Sequence, residues 1–431
     1  EDGLFVRATT EKNKAILGKR IAKIGSLPTE EAMKKLARFA AADNYMSTLQ
    51  YVTRFCLNDG QLLRYIGATD SPDRITLSLV NDNGSIFDNA VETLLPSELS
   101  NVRLISMRAE SKNPTPLYLS HQSDNYWFDY LSGQEAVYLQ INSLNHKNSE
   151  PFGDFCNRLF DTLDFKGANK LIIDLRLCSG GDHIELPLLK GILARPHIDR
   201  SDHLFLIIGR MTGSAAQHLT SELERYTNVT LYGEPTGSKP NQYGSMQQFI
   251  LPHSKMEISC ATNYFQDAGP SDFSTASEPD VFVPLFSKDY KDNYDPVLDR
   301  ILHFDSCKHL RPEFFTTLSE GYSSDGIDNF KRAYRVLKEK YLQYGFNLEN
   351  LLYKDLDNWM GNNKKSEEEY IEYLKFIHEE LPNSIPVCYD LAYWMNRIGQ
   401  KEEAVRLYER CIMLNPEHHR AKMRLELIEL E

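Results

Sequence analysis

Leu204-Phe205-Leu206-Ile207-Ile208-Gly209-Arg210-Met211-Thr212-Gly213-Ser214-Ala215-Ala216-Gln217-His218-Leu219 reads as a buried strand, a short turn and the start of a helix. An unbroken apolar run closed by glycine suits a strand covered on both faces. The residues after Ser214 then follow a helical pattern. A serine at such a junction sits beside the unpaired N–H groups of a helix N-terminus and the positive end of its dipole. Two roles follow from that position. One is an ordinary N-cap. The other is a nucleophile whose oxyanion meets the backbone N–H of Ala215. The G-x-S-x-G turn of the α/β-hydrolases is absent.

Downstream, the strand Val229-Thr230-Leu231-Tyr232 runs into Gly233-Glu234-Pro235-Thr236-Gly237-Ser238-Lys239, which puts Lys239 25 residues after Ser214. Upstream, Lys170-Leu171-Ile172-Ile173-Asp174-Leu175-Arg176-Leu177-Cys178-Ser179-Gly180-Gly181 is a buried strand that leads into a glycine pair. Ala136 to Ile141 is a further strand, and amphipathic stretches at 151–164, 184–194 and 214–226 separate these runs. The alternation predicts a mostly parallel sheet covered by helices. Gln248 to Leu251, a turn at His253-Ser254 and Met256 to Tyr264 predict a hairpin.

Beyond this core the pattern changes on both sides. Residues 1–67 read as helical, with Pro28-Thr29-Glu30-Glu31 opening one amphipathic run. Residues 68–116 read as a small β unit: Ile75, Leu77 and Leu79 alternate with polar residues, and Asn83-Gly84 suits a hairpin turn. Pro114 and Pro116 mark a linker to the core, 117–303. Residues 304–431 return to helix with a repeat. Pro382 and Pro416 are 34 residues apart, as are Ile371 and Val405, Tyr373 and Leu407, and Ile377 and Cys411. Small residues at Ala392, Ala404 and Cys411, with Leu391, Gly399, Tyr408 and Pro416, make 385–418 resemble a tetratricopeptide repeat. The preceding unit, 351–384, resembles it less. Residues 419–431 are expected to cap the array.

The ordered strand end, serine turn and lysine loop resemble those of the C-terminal processing, or tail-specific, serine peptidases. These are related to the tricorn core protease and to interphotoreceptor retinoid-binding protein. The resemblance covers about 117–303 and ends in Pro279-Asp280-Val281 and Asp295-Pro296-Val297-Leu298. It implies an α/β core of the crotonase-like protease fold, with Ser214 as nucleophile and Lys239 as general base. The oxyanion hole would pair the N–H of Ala215 with that of Gly181 or Gly180. A lysine can take the serine proton only as a neutral amine. The lysine loop itself has no carboxylate next to Lys239.

The sequence departs from the family pattern in two places. Tyr243 occupies the position where many members place a glutamine that helps hold the amine, with Gln242 one residue earlier; either Tyr243 substitutes through its hydroxyl, with Gln242 as a further support, or the dyad is degraded. The β unit is too short for a complete PDZ domain and reads as a reduced remnant. The tricorn core protease uses a histidine base, which makes His121, His183 and His218 alternative candidates. The retinoid-binding relative implies a second alternative, a non-catalytic binding or scaffold protein on the same fold. Family habit implies an extracytoplasmic location in a bacterial periplasm or envelope. The chain begins at Glu1 without Met, as expected after removal of a leader or trimming.

Composition bounds what else is possible. The 431 residues are 41% hydrophobic and 25% charged, with net charge −13. That balance fits globular domains and lacks the basic footprint of a nucleic-acid binder. No apolar run approaches a membrane span. The seven cysteines, Cys56, Cys156, Cys178, Cys260, Cys307, Cys388 and Cys411, are odd in number with no C-x-x-C pair. They are expected to be mostly buried free thiols. No H-E-x-x-H, Walker or dinucleotide glycine motif occurs, so neither a metal nor a cofactor is expected. The aromatic run Tyr126-Trp127-Phe128 with Tyr130 reads as core, and Glu367-Glu368-Glu369 after Ser366 as a solvated first helical turn. The expected partners are a polypeptide substrate and a protein docked on the helical repeats.

Overall fold

The computed structural model describes residues 2–94, 96–99, 101–147, 149–270, 272, 274–303, 310–343, 352, 360 and 366–430. The chain divides into two compact units, Glu1–Phe304 and Asp305–Glu431. Cys307 and residues 351, 353–359 and 361–365 of the weaker repeat at 351–384 lie outside the described residues.

The first unit opens with β1 (Ala8–Thr10), β2 (Arg20–Ile24), β3 (Leu27–Pro28), α1 (Thr29–Leu36), α2 (Tyr45–Arg54) and α3 (Gly60–Tyr65). There follow β4 (Arg74–Val80), β5 (Ile86–Glu92), α4 (Pro96–Leu99) and β6 (Leu104–Ser106). Residues 1–67 are therefore not all helical, which corrects the expectation from sequence. β2 pairs antiparallel with β4, and one sheet runs β3-β2-β4-β5. Ile24 of β2, Leu36 of α1, Val52 of α2, Leu63 of α3 and Ile75 of β4 share one apolar core. Packing thus joins the helical stretch to the β unit rather than dividing them at residue 67. The short strand Arg20–Ile24 is stabilised by its partner β4, which lies far along the chain. β4 and β5 form the predicted hairpin around Asn83-Gly84.

The core of this unit comprises β7 (Tyr126–Leu131), β8 (Ala136–Ile141), α5 (Phe152–Lys166), β9 (Lys170–Asp174), α6 (Leu186–Leu193) and β10 (Leu204–Ile208). It continues with α7 (Ala215–Tyr226), β11 (Thr230–Gly233), β12 (Asn241–Ile250), β13 (Glu257–Gln266), β14 (Val281–Phe282), α8 (Ser287–Lys291) and α9 (Pro296–Leu302). Six strands form one sheet in the order β14-β11-β10-β9-β8-β7. All neighbours in it are parallel except β7 and β8. The strands β8 to β10 are apolar runs because both sheet faces are covered. Phe155, Leu159 and Leu163 of α5, Leu188 and Ile192 of α6, and Leu219 and Leu223 of α7 pack with them in one cluster. Tyr126 belongs to this core, and Phe128 and Tyr130 are half-buried against it. Parallel strands place all their carboxyl ends on one edge, where ligand sites of open α/β sheets form. The loops carrying Gly180–Gly181, Ser214 and Lys239 follow β9, β10 and β11 and meet there. β12 and β13 make a separate antiparallel hairpin.

In the second unit, α10 (Leu310–Gln343) is followed by α11 (Glu367–Glu380), α12 (Ile385–Arg397), α13 (Lys401–Leu414) and α14 (His419–Leu430). From α11 onward each helix packs against the next. Ser366 caps α11 by accepting from the Glu369 N–H at 3.2 Å.

Candidate active site

The glycine loop is anchored by a buried ion network. Asp174 ends β9 and accepts hydrogen bonds from the Tyr138 hydroxyl at 2.7 Å and from Arg176 Nε at 2.9 Å. The other edge of the Arg176 guanidinium donates to both oxygens of Asp295, at 2.9 and 3.0 Å. Asp295 in turn accepts from the Val297 and Leu298 N–H groups and so caps α9. The Tyr118 ring lies 4.4 Å from the guanidinium carbon. Burial pushes the Asp174 carboxyl above its ordinary range, against the pull of Arg176. Burial also opposes the charge on Arg176, yet Asp174 and Asp295 hold its guanidinium firmly protonated. The Asp-Leu-Arg signature therefore sets the direction in which the chain leaves β9.

The three loops then interlock. Thr212 Oγ1 donates to the Leu175 carbonyl at 2.9 Å and accepts from the Gly209 N–H at 3.0 Å. The Gly213 N–H donates to the Cys178 carbonyl, and the Gly237 N–H to the Thr212 carbonyl. Ser214 is exposed, with φ +49° and ψ −125°, in a backbone region that L-residues rarely adopt. Its side chain makes no cap hydrogen bond to α7, so the N-cap role is unfilled. Gly180 has φ +119°, and a Cβ there would lie 2.6 Å from the Ser214 Cβ and 3.1 Å from the Ala215 N. Only glycine permits this approach. Gly181, φ +147°, is pressed against Leu144 in the same way. Among the described residues the N–H groups of Gly181 and Ala215 have no partner in the chain.

Lys239 lies on the loop beyond, about a third exposed. Its Nζ is 3.8 Å from Asp43 Oδ1 and makes no hydrogen bond to Ser214 among the described residues. Asp43 is held there by its neighbour. Asn44 accepts from the Ser47 N–H to cap α2, and its amide donates to the carbonyls of Thr236 at 2.9 Å and Thr275 at 2.7 Å. Gln242 is buried, and its Nε2 donates to the Ser214 carbonyl at 3.2 Å. Tyr243 is 70% exposed, with its ring 4.9 Å from that of Tyr264. Strand alternation explains the difference, because successive residues of β12 face opposite sides. The structure thus brings Gln242 to Ser214 and turns Tyr243 away, which corrects the expectation that Tyr243 supports the site.

A cluster of titratable groups lies one helical turn behind Ser214. His218 is 5% exposed and its Nδ1 is hydrogen-bonded to Asp267 Oδ2. The His218 ring is 4.6 Å from that of His183 and 4.7 Å from that of Phe265. His183 Nδ1 is 3.2 Å from Glu185 Oε1. Burial pushes the Glu222 carboxyl up, and the charges of Glu185 and Asp267 add to this. His121 is elsewhere, exposed, with its ring 4.7 Å from Trp127. Asp43, Asp267, Glu185 and Glu222 were not picked out from sequence. The capping role of Asn44, next to Asp43, is a local signal that could have pointed to one of them. Among the described residues no set of three or more His, Cys, Asp and Glu side chains is placed to hold a metal ion. No described helix is long and apolar enough to cross a membrane.

No protein-family model matches the sequence, and no curated protein matches it. Similar solved structures include mature CPAF, at 11% identity and TM-score 0.42, covering 69% of this chain and 77% of that one. An S41 protease from Bacteroides fragilis is similar at 14% identity and TM-score 0.31, covering 55% and 67%. The photosystem II D1 C-terminal processing protease is similar at 15% identity and TM-score 0.29, covering 64% and 65%.

Proposed function

We propose that the chain is a serine peptidase of the C-terminal processing type, cleaving polypeptides through an acyl-enzyme on Ser214. The observation that carries this reading is the uncapped Ser214 hydroxyl, exposed on a strained backbone beside the unpartnered N–H groups of Ala215 and Gly181. Ser214 Oγ attacks the scissile carbonyl carbon, and the resulting oxyanion lies between those two N–H groups. Collapse expels the amine, which carries off the proton the base took from Ser214, and leaves an ester on Ser214, which water then hydrolyses. Gln242 fixes the Ser214 carbonyl during these steps.

Lys239 is assigned as the base that takes the serine proton. To act, the amine must leave Asp43 and lose its proton. A second reading is favoured by the His218–Asp267 hydrogen bond, since a base held in orientation by a carboxylate is the recurring partner of a nucleophilic serine. A location outside the cytoplasm belongs to the same proposal. Incubating the wild-type protein and Ser214→Ala with a peptide library, and sequencing the fragments, tests the function. Cleavage by the wild type that disappears in the variant supports it. Cleavage that survives in Ser214→Ala, or a wild type that cuts nothing, overturns it.

A further inference from the structure

The second unit holds two thiols that peptide hydrolysis does not use. Cys388 lies on α12 and Cys411 on α13, and both are fully buried. Ala392 of α12 and Ala404 of α13, also fully buried, supply small side chains on the same pair of packed helices. Cys388 Sγ is 3.2 Å from the carbonyl oxygen of Leu407, one turn before Cys411 on α13. Cys411 Sγ is 3.8 Å from the carbonyl oxygen of Ile385, nearly one turn before Cys388 on α12. Each sulfur therefore reaches across to the backbone that carries the other. Interaction between the two thiols holds Cys388 below the ordinary thiol range and pushes Cys411 above it. The remaining described cysteines sit apart in the first unit: Cys56, Cys156 and Cys178 buried, Cys260 exposed on β13.

We infer that Cys388 and Cys411 are a redox pair, closing to an intramolecular disulfide by exchange with a small-molecule disulfide and so clamping α12 to α13. In the first step the Cys388 thiolate attacks one sulfur of the disulfide RSSR, forming a mixed disulfide and expelling one RS⁻. Cys411 then gives its proton to solvent and attacks the Cys388 sulfur, expelling the second RS⁻. Two protein thiols are oxidised and RSSR is reduced to two RSH. A bridge needs Cα atoms about 4.4–6.8 Å apart, an approach that small residues along a helix seam favour. Because the sulfurs are buried, exchange follows local opening of the tail.

The full-length chain, reduced and denatured and then refolded in buffers of increasing oxidised-to-reduced glutathione ratio, tests the inference. Each sample is quenched with N-ethylmaleimide and digested, and the cysteine peptides are identified by mass spectrometry. The expected result is one species linking Cys388 to Cys411, its yield rising with the ratio, and a higher melting transition for the oxidised chain. Cys388→Ala and Cys411→Ala, which keep the seam apolar, should each remove both changes in a chain with unaltered circular dichroism. Finding both cysteines alkylated in the most oxidising buffer, or either linked to a different cysteine, would overturn the pair. An oxidised chain that melts no higher would overturn the clamp.

Discussion

Asp43 Oδ1 lies 3.8 Å from Lys239 Nζ, so the amine assigned as general base faces a carboxylate from the amino-terminal part of the chain. The sequence around Lys239 offers no such counter-ion; packing supplies it through the Asn44 hydrogen bonds to Thr236 and Thr275. Asp43→Asn removes the carboxylate that holds the amine away from its working position. An ion pair this exposed is worth about 0.2–1 kcal/mol. Acylation should therefore rise about 1.5- to 5-fold, because the amine no longer has to leave that contact. Lys239→Arg should be inactive in either background, because guanidinium is not deprotonated in proteins. An acylation rate that Asp43→Asn leaves unchanged, together with activity lost in His218→Asn, would transfer the base to His218.

Gly180→Ala tests the oxyanion side of the site. The added methyl would lie 2.6 Å from the Ser214 Cβ at a φ of +119°, so either the serine or the glycine loop must shift. Loss of one oxyanion donor typically costs about 10²–10³ in rate. The acylation rate should fall by about that factor, while circular dichroism and the melting of the parallel sheet change far less. A variant acylated at the wild-type rate would show that this loop does not form the site.

The core sheet was legible because its strands are buried on both faces and therefore read as unbroken apolar runs, as Leu204–Ile208 does. Local chemistry likewise exposed Ser214 and the glycine pair, since a strand-to-helix turn and a positive φ each leave a mark in sequence. What escaped depends on contacts between distant segments. Arg20–Ile24 is held as a strand by Arg74–Val80, which pairs with it from far along the chain. Asp295 completes the Arg176 clamp from 119 residues away. Gln242 and Tyr243 were equal candidates along the chain, and only the direction of the β12 pleat separates them.

Glu222 gives a stability prediction with a definite sign. Burial, followed by the charges of Glu185 and Asp267, raises its carboxyl in the folded chain above the ordinary 4.5. A raised acid binds more protons folded than unfolded, so its stabilisation is present below about pH 4.5 and fades as pH rises through the folded value. Glu222→Gln abolishes that titration. Its melting temperature should exceed that of the wild type at pH 8 and match it near pH 4. An equal difference at both pH values would show that Glu222 titrates alike in the folded and unfolded chain.

Covalent capture of Ser214 bears most directly on the proposed activity. The full-length protein is treated with a fluorophosphonate, digested, and its adduct located by tandem mass spectrometry. The account predicts a single stoichiometric adduct on Ser214, absent from Ser214→Ala and slowed at least about 100-fold in Gly180→Ala. A folded wild-type chain that takes no label, or carries it on another residue while Ser214→Ala labels equally well, would contradict it.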